Sequence, residues 1–151
     1  MIIIAIAIII WKNRSSQTSP PEKNGTDPAE YVLNNSVPDD EILDTLISAD
    51  KELIFLKVGN EFWGFRHILK RHSGEYFKEH YPKGTLFPDN TNGKQIIEAM
   101  KKVFSIGKKG ISNKQGNQVL IADIEVNNNK SEYRLVYSVD KKSVTTFFRV
   151  D

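Results

Sequence analysis

The chain has 151 residues, enough for one domain or for one domain and a tail. Lys and Arg total 21 against 19 Asp and Glu, and 39% of residues are hydrophobic, which excludes both a polycationic tail protein and a wholly disordered chain. The absence of cysteine removes disulfide scaffolds, thiol nucleophiles, iron–sulfur clusters and cysteine zinc sites.

Residues 1–11, Met1 to Trp11, are all apolar, and Lys12 and Arg14 follow at once. A spanning helix needs roughly 17 to 25 apolar residues, so the run is too short to cross a bilayer alone. It lacks the basic start and the small-residue cleavage site of a secretory signal. An apolar run, Trp, then basic residues resembles the cytoplasmic end of a membrane helix. We read it as a hydrophobic stub: a truncated or late-started membrane segment, a short anchor, or a gene-boundary artefact. Membrane association through residues 1–11 is the matching expectation. Residues 12–30 are rich in Ser, Pro, Asn and Gly and have no apolar period, which predicts a flexible linker. A single domain is expected over 31–151.

Pro38-Asp39-Asp40-Glu41 reads as a helix start, with Ile42, Leu43, Leu46 and Ile47 on one face. Leu53 to Val58 reads as a strand, and Gly59-Asn60 as a turn. Residues 61–72 predict a helix, ended by Ser73-Gly74. Residues 81–93 read as a loop rich in Pro, Gly and Asn. Lys94 to Ile106 predicts a second amphipathic helix with Ile97, Met100 and Phe104 on one side, stopped by Gly107. The period then changes to two. Strands are expected over 118–126, 132–139 and 143–150, joined by turns at Asn127-Asn128-Asn129 and Asp140-Lys141-Lys142. Helices first and an antiparallel meander last give an α+β fold class, with the helices packed on the sheet.

The net charge of +2 averages two unlike parts. Residues 1–50 carry three basic and eight acidic residues, net −5, so residues 51–151 stand at +7. A basic domain suits a polyanionic partner, although many soluble surfaces are as basic. The three histidines, His67, His72 and His80, lie in this part. The densest cluster is GFRHILKRHSG, with Arg66, His67, Lys70, Arg71 and His72. On a helix His67 and Arg71 share a face, as do Arg66 and Lys70. A neutral imidazole takes a proton from a ribose 2′-hydroxyl, and cations stabilise the charge building on phosphorus. Neighbouring cations also hold the imidazole pKa down. The alternative is a solvated basic face, with His72, about 140° round the helix from His67, completing the apolar side. For His72 catalysis and packing stand side by side; His80 is read as surface.

A metal site is the weaker reading of the histidines. Their spacing matches neither HExxH nor HxH, and Lys70 and Arg71 would repel a divalent cation. Neither GxSxG, Walker A nor GxGxxG occurs, so no cofactor is expected. In the last strand, SVTTFFRV, alternation places Val144, Thr146, Phe148 and Val150 toward the core. Ser143, Thr145, Phe147 and Arg149 then share the other face, where Arg134 can join them to bind phosphate. An ordinary exposed sheet face is the other reading, and Phe147 is read either as a base-stacking ring or as packing under a loop.

The order of strand, helix with HILKRH, loop, helix and YRLVYSVDKKSVTTFFRV over about residues 50–151 resembles the barnase–EndoU–colicin–RelE superfamily of small ribonucleases. The likeness is to its variants in phage proteins and at the C-termini of bacterial polymorphic toxins. It implies metal-independent RNA cleavage, tRNA among the substrates, by 2′-hydroxyl attack to a 2′,3′-cyclic phosphate. It makes His67 the general base or acid, with His72 as a second catalytic candidate. Lys70 and Arg71 would contact phosphate together with Arg66. Thr145 or Thr146 would hydrogen-bond the scissile group, and Arg149 or Tyr137 would support it. The resemblance further implies a toxin tip, secreted or tethered by its producer and acting in a target-cell cytoplasm, with an acidic immunity protein as partner. The competing expectation is a membrane-tethered adaptor that uses its basic surface to hold an anionic partner without turnover.

Overall fold

The computed structural model describes residues 25–76, 86–112 and 114–150. The apolar stub, the expected linker up to residue 24, and His80 lie outside the described residues.

Helix α1 (Pro28–Asn34) starts inside the stretch read as linker. Asp27 caps it, accepting from the Ala29 amide, and Pro28 occupies the first turn, where no donor is lost. Asp27 also accepts from the Tyr76 hydroxyl at 2.7 Å and from the amides of Gly93 and Lys94 at 3.1 and 2.9 Å. One carboxylate therefore caps this helix and the one that begins at Gly93, and holds Tyr76 as well. The close approach forbids a side chain at Gly93, whose Cβ would lie 2.6 Å from the Ala29 amide nitrogen.

The helix expected from Pro38 onward is instead a turn followed by strand β1 (Ile42–Ile47), paired antiparallel with β2 (Leu53–Lys57). A bulge between Ile42 and Asp44 inserts Leu43 as an extra residue. Leu43 and Leu46, three apart, thus both turn to the core and are buried. That spacing imitates a helix face.

Helices α2 (Gly64–His72) and α3 (Gly93–Ile106) follow. Asn92 and Gln95 form a reciprocal capping box at the start of α3. Strands β3 (Lys108–Gly110), β4 (Asn117–Val126), β5 (Asn129–Ser138) and β6 (Ser143–Val150) complete the chain. Asn127 and Asn128 both take left-handed φ angles, which a two-residue hairpin turn requires and asparagine tolerates.

The sheet has six strands in the order β1-β2-β6-β5-β4-β3. The expected meander is β4-β5-β6, and the α+β fold class holds. The sheet is larger and mixed, because β2 and β6 run parallel and meet at the single pair Phe55–Ser143. The apolar face of α3, including Ile96, Met100, Val103 and Phe104, packs on β4, β5 and β1. Phe104 meets the Tyr137 ring edge-on at 5.7 Å. Each such fully buried side chain contributes about 1.5–3 kcal/mol. Helix α2 packs chiefly on β6 and secondarily on β2.

A second bulge, opposite Val136 and Tyr137, overturns the predicted faces of β6. Tyr137 pairs with Val144 and Val136 with Thr146, so Thr145 is the extra residue. Beyond it the alternation is reversed. Phe147, not Phe148, enters the core at 0% exposure, stacked on Tyr133 and tilted against Phe87.

Candidate functional site

The site is built from the β2–α2 loop upward. Gly59 and Gly64 both have left-handed φ angles, and a Cβ on Gly64 would lie 2.8 Å from the Gly59 Cα. Only glycine permits the loop to close this tightly. Arg66 locks it. Its guanidinium donates to the Val37 carbonyl at 2.7 Å, to the Gly59 carbonyl at 3.0 Å and to Asp39 Oδ1 at 3.0 Å. Arg66, expected to bind substrate, is thus committed to holding the entry to α2.

The closed loop sets the Glu61 carbonyl 2.8 Å from His67 Nδ1. A carbonyl only accepts, so Nδ1 carries the proton and a neutral ring keeps its lone pair on Nε2. Burial of the ring lowers the His67 pKa below the usual imidazole value. The bond to Glu61 opposes this, and the Arg71 charge adds to it. The ring is therefore neutral, and a base, at physiological pH. Lys70, one turn on, pairs with Glu61 Oε2 at 3.1 Å, and Arg71 is exposed.

His72 is buried, at 7% exposure, and serves the packing directly: its ring stacks on Phe148 with centroids 5.3 Å apart and planes 27° from parallel. His67 stands edge-on to His72 at 6.0 Å. The structure thus brings His67, His72 and the C-terminal half of β6 together. Phe148 was assigned to the core by alternation, and its place against His72 was hidden by the bulge. Thr146 shares its strand face, with its hydroxyl buried, and Thr145 occupies the bulge.

Other expected residues lie elsewhere. Tyr137 is buried against Phe104, and its hydroxyl donates to Glu52 at 3.3 Å. Arg134 pairs with Glu132 at 3.1 Å on its own strand. Arg149 is half-buried on the core side of β6, opposite Tyr133.

The helix expected over 61–72 set Phe62 on one apolar face with Phe65 and Leu69, but the helix begins at Gly64, and of the three only Phe65 and Leu69 are buried. Phe62 is 75% exposed in the loop that carries Glu61, with its amide held by Asn60 Oδ1. An exposed aromatic ring in this loop is of the kind that can stack on a base; its only sequence signal was an aromatic directly before the basic helix. Tyr133, in the middle of β5, is fully buried, and nothing in its strand pattern separates it from other inward-facing residues.

Two surface depressions lie away from this cluster. One, of about 460 Å³, is lined by Asp27, Leu43, Asp44, Lys94, Ile97 and Glu98. The other is a shallow groove between α3 and β4. Neither contains a predicted site residue. Among the described residues no three His, Asp or Glu side chains group so as to hold a metal ion, and no helix is long and apolar enough to cross a membrane. Comparison with models of known families and with curated proteins finds no match.

Proposed function

We propose that the domain is an endoribonuclease of the metal-independent, toxin-associated kind that its sequence resembles. The observation that carries this reading is the fixed tautomer of His67: Nδ1 is held by the Glu61 carbonyl, and the pKa is lowered by burial and by Arg71. Such an imidazole is a general base at neutral pH within a basic surface.

In this mechanism His67 Nε2 takes the proton of a ribose 2′-hydroxyl. The 2′-oxygen attacks phosphorus, the bond from phosphorus to the 5′-oxygen breaks, and a 2′,3′-cyclic phosphate forms. The departing 5′-oxygen takes up a proton, for which the His72 ring, 6.0 Å from that of His67, is the candidate donor. Lys70 and Arg71 offset the charge on the phosphodiester, and Thr145 and Thr146 support it from β6. Arg66 and Tyr137 have no part, because their polar groups are committed to the fold. An acidic immunity protein is the partner that this reading calls for.

The test is incubation of the purified chain with total RNA and with tRNA in EDTA. Cleavage to cyclic-phosphate ends by the wild type, abolished in His67→Ala, is the expected result. Salt-sensitive RNA binding without cleavage would instead identify an adaptor domain.

A further inference from the structure

Strand β4 is longer than the strand that covers it. β5 pairs with its whole length, from Asn117 to Val126. On the other side β3 pairs only with Val119, Leu120 and Ile121. Among the described residues β3 is the last strand on that side, so Ala122 to Val126 form an open edge. Such an edge leaves alternate amides and carbonyls free to pair with another extended chain. Proteins protect their edges with short strands and lysines, and β3, with Lys108 and Lys109, is protected in that way. The stretch beyond it is bordered instead by a groove.

The groove, of about 720 Å³, lies between this edge and α3. Ala99, Ile124 and Val126 are buried along it, and Ile106 is 57% exposed where α3 ends. Lys94, Lys101 and Lys102 line its helical side. Lys101 is taken by Asp44 and Glu98, but among the described residues no carboxylate pairs with Lys94 or Lys102. From residue 99 to residue 122 the sequence has five lysines and no acid. Addition of a strand to an exposed edge is a general mode of peptide recognition: main-chain bonds give affinity, and side-chain contacts give choice.

Charge decides the occupant. A second copy docked edge to edge would bring the same lysines together. The chain's own first 21 residues bear Lys12 and Arg14 and no acid. RNA would use the cations but neither the apolar floor nor the main-chain edge. Spacing narrows the choice further. Lys94 and Lys102 lie about 12 Å apart along the helix axis. Strand residues four apart share a face and are separated by about 13 Å. Two acids at that spacing, with an apolar residue midway against Ala99 and Ile124, match the groove. Asp123 and Glu125 are exposed on the opposite face of β4, so the intervening residues of the added strand are not acidic.

We propose that the groove between α3 and the open edge of β4 receives an extended acidic segment of a partner protein, which adds a strand beside Ala122–Val126 and sets its carboxylates against Lys94 and Lys102. The inference stands apart from the ribonuclease reading, since the groove holds none of the proposed catalytic residues and peptide binding needs no turnover.

The experiment adds a short labelled peptide centred on Glu-Thr-Val-Thr-Glu to the full chain and follows anisotropy and amide exchange. The peptide is expected to bind saturably at micromolar concentration and to slow exchange within Ala122–Val126. Lys102→Glu is expected to keep the wild-type Tm and to weaken binding by about tenfold or more, because like charges then face each other. A peptide with Lys in place of both Glu is expected not to bind. Absence of saturable binding, equal binding by Lys102→Glu, or binding that leaves these amides unchanged overturns the proposal. A single-stranded RNA that protects these amides while the peptide does not would assign the groove to nucleic acid and overturn it as well. Peptide binding without RNA cleavage would keep the groove and reject the nuclease; cleavage without peptide binding would do the reverse.

Discussion

His67 donates from Nδ1 to the carbonyl of Glu61, six residues earlier, at 2.8 Å, and this bond ties the chemistry of the imidazole to the geometry of a loop. The loop is closed by two glycines and fixed by Arg66, so the tautomer of His67 depends on residues that do not themselves bond its ring. Replacing His67 by Ala should reduce RNA cleavage by about 10²–10⁴-fold, the usual contribution of a positioned general base, with little change in Tm. Cleavage assays paired with thermal melts check both halves of that statement.

The pH dependence follows from the direction of the His67 shift. Its folded pKa lies below the unfolded value of 6.5, so between the two the unfolded chain binds more protons and stability rises with pH. The contribution is whole above pH 6.5 and falls away as acid takes the solution down through the folded pKa. The acid limb of kcat/KM should accordingly have its midpoint below 6.5. Arg71→Gln should move that midpoint and the NMR titration of His67 upward, because the Arg71 charge helps to hold the pKa down. An unmoved titration would assign the shift wholly to burial.

Arg66 and Arg71 are five residues apart and should fail differently. Arg66→Ala breaks three hydrogen bonds of a charged, mostly covered group and should cost about 2 kcal/mol, or roughly 4–8 °C in Tm for a chain of this size. Arg66→Lys should recover little of this, since one ammonium cannot reproduce the fork. Arg71→Gln should leave Tm almost unchanged. Urea denaturation of the three variants decides between them.

Phe62 projects from the same loop at 75% exposure. Phe62→Ala should leave stability untouched and weaken single-stranded RNA binding by about tenfold or more, the size of one lost base stack. Fluorescence anisotropy with a short oligonucleotide, using His67→Ala as the uncleaving background, measures this.

Alkaline pH should unfold the protein through its tyrosines. Burial raises the pKa of Tyr133 and of Tyr137 to about 12, with Glu52 adding to the shift of Tyr137; Tyr31 and Tyr76 are raised as well. The folded state keeps protons that the unfolded chain has released, so stability is whole below pH 10 and is lost as pH climbs toward 12. Tyrosinate absorbance should therefore rise late and together with the loss of structure.

The amphipathic helix Gly93–Ile106 and the strands of the meander were legible because their apolar periods are unbroken. Two of the misreadings share one cause. At Leu43 and at Thr145 a single extra residue interrupts the two-residue period. The first bulge made a strand look like a helix, and the second exchanged Phe147 for Phe148. A bulge leaves no mark in an alternation pattern, since it depends on what the partner strand can pair with. The cluster of His67, Lys70 and Arg71 was visible from spacing alone. That Arg66 belongs to the fold was not, because its partners Val37 and Asp39 lie nearly thirty residues away in the chain.

The contact between β2 and β6 is one residue pair long, with Phe55 donating its amide to the Lys142 carbonyl at 2.8 Å. Every other neighbouring pair of strands is local in sequence and closes as a hairpin or short connection. This gives the chain an order of assembly. The meander from β4 to β6 can zip from its turns, while the β1–β2 hairpin must wait for a long loop to close. The late step is also the one that brings α2, and with it His67 and His72, against β6. The histidine cluster should thus be among the last parts of the molecule to become native and the first to come apart, with amide exchange fastest where the two halves of the sheet meet.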